Sequence, residues 1–294
     1  MSTDDKKCAP GKKFKDGSCF TLKSLQKIAN QYNKKYDNKI NISDNKEDLV
    51  KQLETKITKC DTQSCWLRQN FIQELENDEI NNNTLRPKGP SKKYEWLSTT
   101  NINQVVNQYQ KANSKFIFMG AVPYDWDDLP ILGLRNLDFA DLEKNGKEKI
   151  GIVFNLDKHN QPGSHWVALY TDLKAKQVYF FDSFAVPPGK RIKKFITKVV
   201  KYIYKRDYNK TLKVNSILNH LKKNKQKYHS SNLKNIDLRY NTIQHQFGNS
   251  ECGVYSINFI IRLAQGESFD NITTNITKDN EMNECRKEYF RNVS

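Results

Sequence analysis

Four runs of β-branched and aromatic residues in the middle of the chain limit most strongly what it can fold into. These residue types favour strands, and the runs cover residues 115–122, 150–156, 165–171 and 177–182. A helical pattern precedes them at residues 102–112, and further helical patterns follow from residue 189 onward. We therefore predict an α+β fold in which helices flank a mixed central sheet.

A long amphipathic helix is predicted after Pro187 and Pro188, because proline is favoured where helices begin. Its apolar residues have the spacing of one helical face and comprise Ile192, Phe195, Ile196, Val199, Val200 and Ile203. This face must pack on the rest of the domain, which leaves the intervening lysines in water. A weaker helical pattern follows at residues 212–227.

The chain is long enough for one large domain and an additional module. It has 294 residues, well above the ~150 residues expected per domain. Three polar helical patterns lie near the N-terminus, at residues 22–33, 45–59 and 66–77. Ser43 and Asp44 are candidate caps of the second helix, and residues 81–90 lack apolar periodicity and contain two prolines, as is typical of a linker. We predict a helical N-terminal arm over residues 1–90 and a second domain over residues 91–294.

The composition excludes several classes of protein. No run of about 18 apolar residues occurs, and the polar N-terminus lacks the apolar stretch of a secretory signal. Only 37% of the residues are hydrophobic, but 15 Phe, 14 Tyr and 4 Trp suffice for a sizeable core. We therefore predict a folded protein that neither spans a membrane nor is secreted.

The positive charge of the chain is concentrated in one segment. The net charge is +16, and residues 188–240 hold 16 Lys and Arg against Asp207 and Asp237, a local balance of +14. This basic insert is either a site for DNA or an acidic partner or a solvated helix face in a lysine-rich chain. The sequence leaves both interpretations open.

Six cysteines are too sparse for a disulfide scaffold in a chain of this length, so we expect them to remain thiols. Cys8, Cys19, Cys60 and Cys65 would allow a four-thiolate zinc site. Their spacings of ten and four residues differ, however, from the short paired loops of zinc ribbons. We predict no metal and no cofactor.

Two strand ends carry a histidine and an aspartate in a candidate catalytic arrangement. His165 and Asp182 flank two predicted strands joined by a polar turn at residues 172–176. In an antiparallel hairpin they would lie opposite each other or nearly so, on one face. A carboxylate beside an imidazole fixes its tautomer and favours its charged form, as a general base requires. An unrelated strand-end histidine and turn aspartate remain the alternative.

A cysteine at the start of an apolar helical run is the candidate nucleophile. Cys252 lies between the polar residues 248–251 and the run at residues 253–263. A thiol at a helix N-terminus gains thiolate character, and a nearby imidazolium would reinforce it. Gln246 lies six residues earlier, where its amide suits an oxyanion hole beside the Cys252 backbone N–H. The alternative for Cys252 is a small buried apolar residue.

Three segments together resemble a known family of cysteine proteases. They are SHWVALY at residues 164–170, FFDS at residues 180–183 and QFGNSECGVY at residues 246–255. The order His, Asp, Gln, Cys, the tryptophan after the histidine and the glutamine before Cys-Gly are similar to the signature of the SUMO-protease and adenovirus-protease superfamily. The resemblance covers residues 94–290 and includes, more weakly, YEWL at residues 94–97.

The resemblance implies a papain-like core in a permuted chain order and a role for each residue of the signature. Cys252 would attack the scissile carbonyl, and His165 would take the thiol proton and later give it to the leaving amine. Asp182 would orient His165, and Gln246 would help to hold the oxyanion.

Three further residues are candidates for substrate binding. In the family, the position of Trp166 is a lid over a tunnel that admits only glycine near the cleavage point; an ordinary core tryptophan is the alternative. Trp96 belongs to the segment that resembles the opening of the family's domain. Asn155, at the end of the preceding strand, is placed to line the site.

One other histidine competes with His165 for the role of base. His159 lies in a loop-like stretch, residues 157–163, without a following strand of its own. His245, beside Gln246, is expected to be structural, and His220 and His229 fall in the basic insert. We predict His165 as the base.

The N-terminal segment and the basic insert resemble the proteases of large cytoplasmic DNA viruses more than cellular deSUMOylases. This resemblance implies a virion maturation enzyme that cuts structural polyproteins after Gly-Gly or Gly-x, in the virion and the viral factory of the host cytoplasm. The implied partner is a protein substrate with such sites, and residues 188–240 add DNA or an acidic partner. A deSUMOylating or deubiquitinating isopeptidase and a basic DNA-packaging protein with a degenerate protease fold remain alternatives.

Overall fold

The computed structural model describes residues 16–18, 20–58, 60, 63–66, 69–73, 87, 89–92, 94–223 and 232–290. The chain divides into two compact units, Met1–Lys93 with Glu284–Ser294, and Tyr94–Asn283. The assignment of residues 1–90 as an arm stays a prediction. None of the helices in the described ranges is long and apolar enough to cross a membrane.

The first unit contains short helices: α1 (Leu22–Lys35), α2 (Lys46–Lys56), α3 (Gln63–Trp66) and α4 (Asn70–Gln73). They enclose a small apolar core that includes Leu25, Ile28, Leu49, Leu53, Trp66 and Phe71. The predicted helix at residues 66–77 corresponds to the last residue of α3, Trp66, and to α4 at Asn70–Gln73. Residues 67, 68 and 74–77 lie outside the described part.

The cap predicted for α2 is wrong by one or two positions. Asn45 is the N-cap, and its side-chain oxygen accepts the Asp48 N–H at 3.1 Å. Ser43 Oγ accepts the Asn45 N–H, and Asp44 Oδ1 accepts from the Gln26 amide. Ser, Asp and Asn are all good caps, so residue type alone could not choose among these three neighbours.

The second unit is built on a mixed sheet. Its strands within the described residues are β1 (Phe116–Val122), β2 (Lys149–Asn155), β3 (Trp166–Asp172), β4 (Gln177–Phe181), β5 (Asn232–Leu233) and β6 (Ile236–Tyr240). They lie in the order β1-β2-β3-β4-β6-β5. The pairs β1/β2 and β4/β6 are parallel, and the others are antiparallel. The predicted α+β fold with a mixed sheet is confirmed.

Helices cover both faces of this sheet. The described α-helices from residue 99 onward are α5 (Thr99–Ala112), α6 (Phe139–Lys144), α7 (Lys190–Tyr208), α8 (Val214–Lys223), α9 (Cys252–Ala264), α10 (Phe269–Thr274), α11 (Asp279–Glu284) and α12 (Arg286–Tyr289). The first unit includes α12 and the last residue of α11. On one face, α7 packs on β4 and β6, and its predicted apolar stripe is completely buried. On the other face, α9 packs on β2, β3 and α5.

The approach of α9 to the sheet depends on a glycine. A Cβ atom at Gly151, in the middle of β2, would lie 2.8 Å from Ile260 Cγ2 and 3.0 Å from the ring of Phe116. Only a residue without a side chain lets the backbone of β2 come this close to α9. The contact is made at Ile260, in the second half of the helix that begins with Cys252.

The expectation that all cysteines remain thiols is wrong for Cys60 and for the cysteine to which it is bonded. Cys60 is disulfide-bonded, so it is neither a free thiol nor a thiolate ligand for zinc. Cys8 and Cys19 lie outside the described residues. Across the described ranges, no three or more His, Cys, Asp or Glu side chains form a group that could hold a metal ion. Cys252 and Cys285 are not disulfide-bonded.

Candidate active site

Cys252 is the first residue of α9 and is buried. The unpaired N–H groups of the first helical turn surround such a position and favour negative charge on the thiol. The helix runs from Cys252 to Ala264, is apolar on nearly every side and lies against the sheet. The sulfur is therefore held by the core of the second unit and not by a loop.

His165 and Asp182 meet at the ends of the β3/β4 hairpin. His165 Nε2 donates to Asp182 Oδ1 at 2.7 Å, and Asp182 is only 2% exposed. The paired register of β3 and β4 ends where Ala168 pairs with Phe181, and Asp182 follows directly at the start of a turn. Phe184 stacks on the imidazole with 4.8 Å between the ring centroids.

The thiol and the carboxylate both act on the charge of His165. Burial lowers the pKa of His165, but hydrogen bonds to Asp182 and to Cys252 raise it more strongly, to about 9. Since Asp182 holds Nε2, Nδ1 is the nitrogen left for Cys252. The imidazole is thus protonated at neutral pH and faces the sulfur, an arrangement that favours a thiolate–imidazolium pair.

Asp182 is fixed by a residue that the sequence did not point out. Its backbone N–H donates to Asn241 Oδ1 at 2.9 Å, and Asn241 Nδ2 donates back to the Asp182 carbonyl at 2.7 Å. The Phe184 N–H donates to the same carboxylate oxygen that His165 uses. Asn241 follows directly after β6, a strand hidden inside the basic insert, so its position could not be predicted while β6 was missed.

Gln246 is joined to the histidine–aspartate pair through Ser183. Ser183 Oγ donates to Gln246 Oε1 at 2.6 Å, and both residues are almost fully buried. This bond fixes which end of the amide is the donor. One Nε2 hydrogen then goes to the Gly248 carbonyl at 3.1 Å, and an amide nitrogen carries a second hydrogen for another acceptor. Ser183 is a further residue that was not predicted, although it directly follows Asp182.

Trp166 and the 96–97 segment form one wall beside Cys252. The Trp166 indole N–H donates to the Leu97 carbonyl at 2.9 Å, and the ring is buried. Leu97 also lies against the start of α9, because a Cβ atom at Gly253 would come within 3.0 Å of Leu97 Cβ. Trp96, the neighbour of Leu97, is 46% exposed. The predicted pair of tryptophans therefore comprises one fixed ring and one ring open to solvent.

Asn155 organises a loop. Its Oδ1 accepts the backbone N–H groups of Asp157 at 2.9 Å and Ser164 at 3.2 Å. These bonds close the loop between β2 and β3 and lead the chain into His165. Asn155 thus supports the histidine from behind, and its predicted contact with substrate stays a prediction.

The other histidines have separate partners. His159 Nδ1 lies 2.7 Å from Asp125 Oδ2, and its side chain is 53% exposed. His245 is buried with Nε2 3.2 Å from the Thr273 carbonyl, and burial lowers its pKa. His220 bonds the Leu238 carbonyl, while His229 lies outside the described residues.

Comparison with known proteins indicates the same class of protein as the fold and the site do. The family model described as "Ulp1 protease family, C-terminal catalytic domain" matches residues 145–294. The chain is 35% identical to R355 of Acanthamoeba polyphaga mimivirus, named as a thiol protease, over 97% of this chain and 93% of that protein. The molecule is thus a viral thiol protease. It belongs to the Ulp1 protease family.

A second viral relative matches in sequence and in structure. A cysteine protease of African swine fever virus is 22% identical over 79% of this chain and 83% of that protein. A crystal structure of the African swine fever virus protease aligns with a TM-score of 0.58 at 18% identity, covering 98% of this chain and 96% of that one. At this identity the structural likeness concerns the fold alone.

Proposed function

We propose that the chain is a cysteine endopeptidase that cleaves after Gly-Gly or Gly-x, with Cys252 as its nucleophile. The observation that carries this proposal is the buried series of contacts from Cys252 to His165 and from His165 to Asp182. A thiol at a helix start, an imidazole and an orienting carboxylate are the parts that thiol acyl transfer needs.

The proposed mechanism begins from the ion pair, in which Nδ1 of His165 already holds the proton of the Cys252 thiol. The thiolate attacks the scissile carbonyl carbon to give a tetrahedral oxyanion. The Gln246 amide and the Cys252 backbone N–H donate to this oxyanion. His165 then gives its proton to the leaving amine, and water hydrolyses the thioester with His165 as base.

The preference for glycine rests on the wall beside the nucleophile. Trp166 cannot swing away without losing its bond to the Leu97 carbonyl, and Leu97 is pressed against Gly253. A fixed aromatic ring next to the scissile bond leaves little room for a substrate side chain. Residues with no side chain fit such a passage best, which supports cleavage after Gly-Gly or Gly-x.

The test is turnover of a peptide that contains Gly-Gly-Ala, measured in reducing buffer. Wild type should cleave it, and Cys252→Ala should not. Cys285→Ala is the matched control, because Cys285 is the other cysteine among the described residues that is not disulfide-bonded. Equal turnover by wild type and Cys252→Ala would overturn the assignment of the nucleophile. Cleavage of SUMO or ubiquitin fusions but not of the peptide would replace the endopeptidase by an isopeptidase.

The biological role that we propose is maturation of virions by cleavage of structural polyproteins. Both similar proteins described above come from viruses, which supports a role in a viral particle or viral factory. Mass spectrometry of structural proteins from particles made with Cys252→Ala tests this role. We expect precursors that remain uncleaved at their Gly-x sites to accumulate. Normal processing in these particles would contradict the proposed role.

We further propose that the exposed side of α7 binds DNA or an acidic partner. Part of the basic insert is neutralised by carboxylates: Arg191 by Asp127 and Asp128, Lys194 by Asp127, and Arg206 by Glu143 and Asp207. Lys190, Lys193, Lys201 and Lys205 form no ion pair within the described part of the chain. These four lysines support an electrostatic surface that is smaller than the local charge of +14 suggests.

Salt dependence decides whether this surface binds DNA. Affinity for duplex DNA should fall steeply between about 50 and 200 mM salt, and Lys201→Ala with Lys205→Ala should weaken it. Alanine at Lys144 and Lys158, which are exposed and outside the insert, is the control. If the affinity for DNA does not change with salt, the DNA-binding proposal is wrong and the insert is a solvated helix face.

A further inference from the structure

The segment between Gln246 and Cys252 must hold two groups in place at once. In the proposed mechanism its first end provides the Gln246 amide and its last end the Cys252 backbone N–H, and both must point at one oxyanion. Residues 247–251 join these ends without helix or strand. We call residues 247–251 the oxyanion loop.

The side chains of the oxyanion loop do not anchor its first half. Phe247 is 75% exposed, and Gly248 has no side chain. In the second half, Glu251 Oε2 accepts the Ser250 N–H at 3.1 Å, and Ser250 Oγ donates to Glu251 Oε1. Besides the bond from the Gln246 amide to the Gly248 carbonyl at 3.1 Å, the first half needs an anchor from elsewhere in the molecule.

Asp279 supplies this anchor through one carboxylate oxygen. Its Oδ2 accepts the backbone N–H of Phe247 at 2.8 Å and of Gly248 at 2.7 Å. Hydrogen bonds to an ionised acceptor are about twice as strong as neutral ones. Asp279 begins α11 and lies about thirty residues further along the chain, outside every segment that carries the family signature.

The other carboxylate oxygen ties the same residue to the nucleophile's helix. Asp279 Oδ1 lies 3.1 Å from the hydroxyl of Tyr255, a buried residue in the first turn of α9. The Tyr255 hydroxyl is also 2.7 Å from the Thr277 carbonyl. One carboxylate thus connects the oxyanion loop to the turn of helix that carries Cys252.

Gly248 is fitted to this carboxylate. A Cβ atom at this position would lie 3.0 Å from Glu251 Oε2 and 3.4 Å from Asp279 Oδ2. The backbone of Gly248 therefore lies directly against both carboxylates. The two acidic side chains hold opposite halves of one loop.

We propose that Asp279 is a positioning residue of the active site, which fixes the oxyanion loop so that the Gln246 amide and the Cys252 N–H converge on the oxyanion. This inference rests on the proposed function for its catalytic consequence, but not for the contact itself. Asp279 touches neither substrate nor the reacting atoms. Its loss should therefore lower kcat and leave the reactivity of the thiol in place.

The experiment compares Asp279→Ala with Glu281→Ala in the full chain. Glu281 is the matched control, because it also lies at the start of α11 and accepts a backbone N–H, that of Lys278, at 3.2 Å. Hydrogen–deuterium exchange of the Phe247 and Gly248 amides should rise about tenfold or more in Asp279→Ala only. The kcat for peptide cleavage should fall about 100-fold, as for loss of one oxyanion donor, with KM little changed.

Two further measurements separate positioning from general damage. Alkylation of Cys252 by iodoacetamide, followed by mass spectrometry of its peptide, should keep its wild-type rate, because it needs the thiolate and not the oxyanion hole. Asp279→Asn, which retains a side-chain oxygen acceptor, should restore most of the amide protection and part of kcat.

The outcomes distinguish this inference from the proposed function. Unchanged amide exchange in Asp279→Ala, or a parallel loss of alkylation and turnover, would overturn the positioning role. If wild type cleaves no peptide or fusion, the proposed function fails, and the exchange measurement still decides whether Asp279 holds the loop.

Discussion

Two histidine–aspartate pairs in this protein have the same separation and different surroundings. His165 Nε2 lies 2.7 Å from Asp182 Oδ1, and His159 Nδ1 lies 2.7 Å from Asp125 Oδ2. The His165 side chain is 11% exposed, whereas the His159 side chain is 53% exposed. The distance between imidazole and carboxylate therefore does not by itself identify a catalytic pair.

The two pairs differ in the other groups that contact the imidazole and the carboxylate. His165 also bonds the Cys252 thiol, and its pKa is raised to about 9 although burial lowers it. Asp125 instead gives both oxygens to His159, since Oδ1 accepts the His159 backbone N–H at 2.9 Å. The first pair holds a proton beside a nucleophile, while the second pair fastens the loop between β2 and β3. The comparison teaches that the third group defines the function of the pair.

The largest expected effect comes from removing each histidine in turn. His165→Ala should lower kcat/KM for the Gly-Gly-Ala peptide by about 10⁴-fold or more, because the thiol loses its base. His159→Ala should leave kcat/KM unchanged within error. Steady-state kinetics of the two variants, with melting temperatures to exclude unfolding, would measure the contrast. Equal losses in both variants would remove the distinction between the pairs.

The pH dependence of turnover sharpens the same comparison. The raised pKa of His165 means that the imidazolium persists above the ordinary value of 6.5 and is lost as the pH rises through about 9. The basic limb of kcat/KM should therefore lie near pH 9 in wild type. Asp182→Asn removes the hydrogen-bonded charge that raises this pKa, so the limb should move down by about 1–3 pH units.

The matched variant for the pH experiment is Asp125→Asn. Since Asp125 faces a histidine that does not touch Cys252, the basic limb should stay where it is in wild type. Full pH profiles of kcat/KM for the three proteins provide the measurement. A limb that moves with Asp125→Asn, or that stays fixed with Asp182→Asn, would contradict the assignment of the limb to His165.

Much of the fold could be predicted because the main elements have clear periodicity. The stripe from Ile192 to Ile203 predicted a buried helix face, and α7 buries that face. The strands β5 and β6 were missed because they are short and lie among lysines. Their turn uses Lys234 and Asn235 at φ of 51° and 66°, a conformation that the sequence marks only by the asparagine.

The candidate site could be predicted only where a motif or a local spacing exists. The predicted hairpin placed His165 and Asp182 close to each other, and the two side chains are in contact in the structure. Asn241 and Asp279 act through the backbone of distant segments, and nothing in their neighbourhood in the sequence distinguishes them from other polar residues. Contacts of this kind depend on how strands and helices are ordered in space, which single-sequence patterns do not fix.

The smallest expected effect concerns the second pair and tests its role as a loop fastener. Asp125 is buried, which raises its pKa, but the hydrogen bonds from the side chain and backbone of His159 and from its own backbone together lower it more, so the net shift is downward. The stabilisation is therefore present above the ordinary value of 3.8 and is lost as the pH falls through the lower, folded-state value. Because His159 is more than half exposed, Asp125→Ala should cost about 1 kcal/mol or less.

Thermal unfolding at neutral pH is the measurement for this variant, with Asp128→Ala as control because Asp128 is exposed and pairs with Arg191 instead. Exchange of the amides at residues 156–164 should rise in Asp125→Ala, whereas kcat/KM should stay close to wild type. A large loss of turnover without unfolding would mean that the loop between β2 and β3 positions His165 through Asp125. The two pairs would then be parts of one catalytic arrangement, and the contrast drawn between them would be wrong.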